Sequence, residues 1–340
     1  MSIPQVGAFF APTHDTPDHI ALAESLGFAS AWVYDSPLLY DDPFVTLARA
    51  AERTSSIGLG VGALVPGLRT PVATAAALRS LAALAPGRLR AAVGAGFTGR
   101  FTLGLPPVSL RRLEREVRDL RALVRGEAAE HPEGGATIAP IPVRGAPAGA
   151  DLPIYVSCRG PKAQALAGRL GDGALTGIFS PGGLGAIRAG VGPDMPLAVH
   201  AIAAVAEEGE PLDSPRLRAA VGPVIGVAFH AFAEQPWRVE GLDAEARAAA
   251  EDYMAWAAEL PAGRRHLELH RGHLIELVHE RDRELVTPEN IRRFSFCGTA
   301  EELRGRAAEL AEMGAGELLL QPGGDVPDEL RRLAEALLPA

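Results

Sequence analysis

Ile57–Gly96 reads IGLGVGALVPGLRTPVATAAALRSLAALAPGRLRAAVGAG and holds a complete β/α/β unit. Ile57–Leu64 is a short, nearly continuous apolar run, Pro71–Leu84 has helical spacing, and Leu89–Gly96 is a second apolar run ending in glycine. Thr70 before Pro71 supplies an N-cap residue followed by a first-turn proline. Strands that are apolar on both faces belong to a parallel sheet covered on each side by helices.

The same unit recurs in both directions along the chain. Apolar runs lie at Val6–Pro12, Ser30–Asp35, Ile57–Leu64, Leu89–Gly96, Pro153–Arg159, Asp172–Gly177, Pro196–Val205 and Glu317–Gly323. Helical segments separate them, among them Asp18–Leu26, Phe44–Thr54 and Ser109–Arg125. Eight such units predict a closed (β/α)8 TIM barrel spanning residues 1–340 as one domain, with an open doubly wound sheet as the alternative. Two stretches break the rhythm: the Pro/Gly-rich segment Gly126–Leu152, and an insertion of about 207–293 between the seventh and eighth strands. An insertion at that place is expected to shape the mouth through which substrate enters.

The chain has 340 residues, 47% hydrophobic and 22% charged, so disorder is excluded. Its 33 Lys and Arg against 42 Asp and Glu leave a formal charge of −9, which argues against a nucleic-acid surface. Cys158 and Cys297 form neither a disulfide framework nor a clustered thiolate site. The N-terminus lacks a signal-peptide pattern, and the apolar stretches Ala201–Ala206 and Val221–Ala233 are shorter than a membrane span. A cytoplasmic location without membrane attachment is the expectation.

Functional groups in a parallel barrel come from strand C-termini. Here those ends carry His14, Tyr34–Asp35–Ser36, Gly62–Ala63–Leu64, Gly94–Ala95–Gly96–Phe97, Ser157–Cys158–Arg159–Gly160, Thr176–Gly177–Ile178 and Gln321. Glycine at so many of them allows the backbone to approach a flat or anionic ligand closely. Arg159, Lys162 and the N-terminus of the helix that follows Gly160–Pro161 converge on a candidate phosphate site, the alternative being solvated cations beside a simple turn. Gly94–Ala95–Gly96 lacks the third glycine of a dinucleotide fingerprint. His266, His270 and His273 are spaced i, i+4, i+7, one face of a continuous helix. Their charged neighbours favour a solvated or dimer-facing surface over a metal site, so no metal ligand is assigned.

Five blocks in order, Leu22–Asp35 (LAESLGFASAWVYD), Asp42–Leu64 (DPFVTLARAAERTSSIGLGVGAL), Arg69–Gly96, Pro153–Gly173 (PIYVSCRGPKAQALAGRLGDG) and Cys297–Gly314 (CGTAEELRGRAAELAEMG), resemble the bacterial luciferase-like superfamily. Within it the resemblance is to the deazaflavin branch that includes methylenetetrahydromethanopterin reductase. It implies a barrel that binds coenzyme F420, or alternatively FMN, at the strand C-termini, acts on a small organic substrate and forms a homodimer. It also implies a non-proline cis peptide at Gly62–Ala63 or one bond later. Asp35 would contact the ring, Gly62–Leu64 and Gly94–Gly96 would line it, and Ser157–Gly160 with Gly177, Ile178 and Phe179 would hold the phosphate.

Two departures narrow the chemistry. Several members carry histidine where this chain has Ser36, and the sugar-phosphate branch carries glutamate where it has Phe97. Both argue against a sugar-phosphate dehydrogenase and against a luciferase-type base, leaving His14, Asp35, Ser36 and Tyr40 as candidates for proton transfer. The function implied is F420-dependent hydride transfer, with reduction of a C=C or C=N bond favoured. An FMN-dependent monooxygenase and a catalytically inactive flavin-binding barrel are the alternatives.

Overall fold

A computed structural model describes residues 3–131, 134–146, 148–177 and 182–339. Its centre is a closed barrel of eight parallel strands: β1 Gln5–Phe10, β2 Ser30–Val33, β3 Gly58–Leu64, β4 Leu89–Val93, β5 Ile154–Ser157, β6 Gly173–Gly177, β7 Leu197–Val205 and β8 Glu317–Pro322. Each strand pairs with the next, and β8 closes the ring on β1 with Gln5 beside Glu317. These are the eight runs read from the sequence. β3, β6 and β7 end where the apolar runs end, whereas β1, β2, β4 and β5 end earlier because Pro12, Asp35, Gly94–Gly96 and Arg159 leave the ladder to form loops above the barrel.

Helix starts follow from side-chain chemistry. Asp42, Thr70, Ser214 and Thr287 each precede a proline and accept hydrogen bonds from backbone N–H groups in the first turn. Their oxygens satisfy donors that have no partner within the helix, and the proline ring presets the backbone. Between barrel and helices runs the main apolar core, which includes Val33, Leu47, Val61, Leu78, Leu113, Val156, Val199 and Leu320.

The barrel interior is filled in layers. At the N-terminal end Arg90 makes two hydrogen bonds to Glu317, at 2.7 and 2.8 Å, and the Ser30 hydroxyl donates to the same carboxylate at 2.5 Å. Above them sit Phe9, Trp32, Ala92, Tyr155, Leu175, Ala198 and Leu319. Two glycines make room for this layer: a Cβ at Gly60 would lie 2.0 Å from the Trp32 ring, and one at Gly173 2.5 Å from the Tyr155 ring. The top layer is polar. Tyr34 Oη donates to Gln321 Oε1 at 2.7 Å and lies 3.0 Å from His200 Nε2. Among the described residues the lower barrel is therefore filled by side chains, and the cavity lies at the strand C-termini.

The insertion between β7 and β8 has its own core, built on the helix Pro215–Glu234, whose Val221, Ile225, Phe229 and Phe232 pack on Tyr253, Ile291 and Phe294. With 20 residues and a mean hydropathy of 1.2 it is the one described helix long and apolar enough to cross a membrane, although 78% of that stretch is buried in the fold. The apolar stretch at Val221–Ala233 is thus part of a longer helix than the sequence pattern marks. A three-residue strand missed in the sequence, Phe296–Gly298, runs parallel to the end of β7. The Pro/Gly-rich segment carries a small hairpin, Ala129–Glu130 with Thr137–Ile138.

Two stability predictions follow from the layers. Gly60→Ala should destabilise the fold by at least about 1–3 kcal/mol, because it overpacks the Trp32 layer. Gly305→Ala, on a helix where a Cβ meets nothing within 4 Å, should be neutral or stabilising. Glu317→Ala should cost about 3–5 kcal/mol by leaving Arg90 unpaired inside the barrel. Arg53→Ala, at an ion pair whose side chains are 38% and 66% exposed, should cost less than about 1 kcal/mol. Urea unfolding followed by circular dichroism measures all four.

Candidate active site

The space above the polar layer is a cavity of about 450 Å3. It is walled on the barrel side by Tyr34, Asp35, Ser36, Ala63, Gly94–Ala95–Gly96, Ser157–Cys158–Arg159–Gly160, Gly177 and His200. The insertion contributes Val224, Val227, Ala231, Gln235, Arg238, His273, Leu274 and Phe294. Both groups are brought together only by the closed barrel, since 237 residues separate Ser36 from His273.

The peptide bond Gly62–Ala63 is cis, at the first of the two places the resemblance implies. The pairing of β3 with β4 shifts register between Val61 and Leu64, so Ala63 stands out of the ladder toward the cavity. Glycine is required next to it, because a Cβ at Gly94 would lie 2.9 Å from that of Ala63. Gly96 has φ +80, and a side chain there would meet Val65 at 2.4 Å.

Asp35 is 3% exposed and forms an ion pair with Arg69 at 2.6 Å. Burial pushes its carboxyl above the ordinary value, and Arg69 and the Val65 N–H pull it back. Arg69 reaches on to Asp42, also at 2.6 Å, whose other oxygen caps the helix Pro43–Ala51. A helix cap, a guanidinium and a buried carboxylate are thus linked in series, which fixes the direction in which Asp35 faces the cavity.

Arg159 and Arg238 supply the positive end. Desolvation, together with the charge of Arg238, lowers the Arg159 guanidinium to about 10, so it stays cationic at neutral pH. Arg238 also lies over the Phe97 ring, 5.1 Å from its centroid. Beside them begins the helix Pro161–Leu170, with Gly160 as its N-cap and space within 4 Å of where a Gly160 Cβ would stand. Pro161 has no N–H and the Ala163 and Gln164 N–H groups donate to the Gly160 carbonyl, so the two guanidinium groups, with the Lys162 N–H and the positive end of the helix, are what suit an anion. At the cavity floor burial lowers His200 to about 4, so its imidazole is neutral and donates through Nε2 to Tyr34, whose own hydrogen is committed to Gln321.

Most candidate site residues from the sequence line this cavity, and five of the described ones do not, among them Lys162 of the expected phosphate site, which is exposed on the helix Pro161–Leu170. Gly62 packs below the wall, where a Cβ would meet Leu175 and Trp32 at 3.1 Å. The Leu64 side chain turns outward into the core under the helices. Tyr40 is half-buried one layer back, with its ring 6.1 Å from Tyr34 and 6.2 Å from His273. His14 is exposed away from the cavity, and its carbonyl accepts from Arg49. Ile178 and Phe179 lie outside the described residues. The Cys158 thiol is buried on the wall and pushed up to about 11, hence protonated.

The expectation of a solvated histidine helix is corrected. The helix ends at Leu269, Gly272 turns the chain at φ 74, and His270 and His273 fold inward to 1% and 3% exposure. His266 points elsewhere, toward Gly104. Arg238, Gln235, His200 and Gln321 were not among the predicted ligand-holding residues. His200 and Gln321 carried a usable signal as polar residues inside apolar strands, whereas Arg238 and Gln235 depend on how the insertion folds.

With this geometry in hand, comparison with known proteins is informative. The family model for luciferase-like monooxygenases matches residues 4–317. A 5,10-methylenetetrahydromethanopterin reductase from Methanolobus tindarius is 26% identical over 321 residues, 88% of this chain and 87% of that protein. An F420-dependent glucose-6-phosphate dehydrogenase from Beutenbergia cavernae is 35% identical over 184 residues, 49% of this chain and 53% of that protein. Among solved structures, the coenzyme F420 dependent tetrahydromethanopterin reductase from Methanopyrus kandleri superposes with a TM-score of 0.75 at 21% identity, covering 99% of each chain. A monooxygenase from Streptomyces bottropensis has the same fold with a TM-score of 0.62 at 18% identity, covering 98% of this chain and 99% of that one. The barrel, the bulge at Gly62–Ala63 and the match along nearly the whole length agree: the chain belongs to the luciferase-like monooxygenase family.

Proposed function

We propose that this protein is a coenzyme F420-dependent oxidoreductase that transfers hydride between the deazaflavin and a small organic substrate, with reduction of a C=C or C=N bond as the favoured reaction. The observation that carries the reading is the convergence, on one cavity at the strand C-termini, of the Gly62–Ala63 bulge, the clamped Asp35 carboxylate and the Arg159–Arg238 pair. The F420 dependence named for the glucose-6-phosphate dehydrogenase relative, which matches about half of the chain, supports it.

The cavity residues fit such a group. Glycine at positions 94, 96, 160 and 177 leaves backbone surface for a flat ring and its chain, and the paired guanidinium groups suit its phosphate. Bound there, the deazaflavin supplies the hydride donor or acceptor at C5. The residues of this chain do the rest. Arg159, Arg238 and the Lys162 N–H hold the anionic part, while Asp35, locked by Arg69, fixes the orientation of the ring edge. Ala63 limits how deeply a ligand sits, and Val224, Val227, Ala231 and Phe294 exclude water from the reacting region. Ser36, with its hydroxyl on the wall, is the sequence-predicted proton carrier that reaches the cavity without being held in an ion pair. A homodimer would bury the exposed apolar residues Leu38, in the turn after β2, and Val45 and Val72, on the helices Pro43–Ala51 and Pro71–Leu84.

Side-by-side equilibrium dialysis against oxidised F420 and FMN tests the proposal. Tighter binding of F420 is expected; a preference for FMN accompanied by oxygen uptake with reduced FMN would replace it with a monooxygenase, and binding of neither would leave an inactive barrel. Arg159→Glu should weaken F420 binding at least about tenfold, an effect of about 1.4 kcal/mol or more, with the circular dichroism spectrum unchanged. Unaltered affinity would remove Arg159 from the site.

A further inference from the structure

We propose that His230, His270 and His273 form a binding site for a first-row divalent transition-metal ion of the Zn2+ type, built into the insertion at the edge of the cavity. His230 projects from the helix Pro215–Glu234, His270 follows the helix Arg265–Leu269, and His273 is the one described non-glycine residue with positive φ, at 40°. The three are 1%, 1% and 3% exposed, and one ring nitrogen from each lies within 4.8 Å of the others. His270 Nδ1 and His273 Nδ1 are 3.4 Å apart. Two ligands at about 2.0–2.1 Å from a tetrahedral ion are separated by about that distance.

The surroundings complete the pattern. His230 Nε2 faces Asp282 Oδ2 at 3.4 Å, and Asp282 Oδ1 in turn accepts from Tyr253 Oη at 2.7 Å. His270 Nε2 lies 2.9 Å from Glu234 Oε1, and His273 Nε2 lies 3.3 Å from the Thr98 hydroxyl. Each ring thus has one nitrogen engaged by an oxygen, two of them carboxylates, which is how metal-bound imidazoles are oriented. Within this cluster two buried side-chain atoms have no hydrogen-bond partner among the described residues, His230 Nδ1 and Glu234 Oε2. A lone pair left unpaired in so dry a place is costly unless something accepts it, and a cation does.

Three protein ligands leave a fourth position on the ion. Because His273 is on the cavity wall, that position would take water or an oxygen of a molecule bound in the cavity. The site stands independently of the deazaflavin reading, and its test requires no flavin.

Untagged full-length protein, treated with chelator and then equilibrated with Zn2+ or Co2+, gives the test. The expected result is one ion per chain by elemental analysis, with the intense visible absorption of nitrogen-ligated tetrahedral Co2+. His230→Gln and His270→Gln should abolish the spectrum, His266→Gln should leave it intact, and Asp282→Asn should weaken the affinity about 10–100-fold. Substoichiometric binding to the wild-type chain, with no visible Co2+ band, would overturn the proposal and leave His270 and His273 as a hydrogen-bonded pair. So would a His230→Gln variant that binds as the wild type does. The wild-type spectrum decides the matter even if a buried variant fails to fold.

Discussion

The packing of Trp32 against Gly60 is the constraint on which the rest of the structure depends. The indole packs in one layer with Phe9 and Tyr155; it fits because β3 presents hydrogen at Gly60, and Tyr155 fits because β6 does so at Gly173, where other residues would present carbon. Below it, the Arg90–Glu317–Ser30 cluster uses its charges on one another, so the lower barrel is both full and electrically satisfied. A ligand has one place left to go, above Tyr34, His200 and Gln321 at the strand C-termini. Everything assigned to function here lies in or beside that space.

The same economy governs the charges around the cavity. Asp35 would be expensive to bury alone, and Arg69 compensates it while being anchored by a second carboxylate, Asp42, that also caps a helix. Arg159 and Arg238, by contrast, lie close enough that the charge of one lowers the other, an arrangement that favours an anion between or beside them. One end of the cavity is therefore suited to a negatively charged group and the other to an oriented hydrogen-bond acceptor. That polarity fits a long cofactor with a phosphate at one end better than it fits a small symmetrical ligand.

The fold was legible in the sequence because parallel barrel strands are apolar on both faces, so Ile57–Leu64 and its seven counterparts stand out as uninterrupted runs. Phe296–Gly298 did not, since three residues carry no period. The strand ends were legible for the same reason, which is why Asp35, Ser36, Gly94–Gly96 and Ser157–Gly160 were singled out and are found around one cavity. His14 was misleading: it ends an apolar run, but the following turn carries it outward. The contributions of the insertion were not legible, because Arg238 and His273 reach the cavity through packing of the long helix Pro215–Glu234 and not through any local pattern. The histidine spacing invited a continuous helix, and the signal against it was Gly272, a helix-stopping residue placed between the second and third imidazoles.

The central claim is that the cavity above Tyr34, His200 and Gln321 binds the deazaflavin with its phosphate on the arginine pair. A crystal structure of the protein with F420 tests it most directly. The ring should lie against Ala63 and Asp35, with the phosphate within hydrogen-bond distance of Arg159 and the Lys162 N–H. Density for the cofactor outside this cavity, or inside it with the phosphate directed away from Arg159 and Arg238, would contradict it.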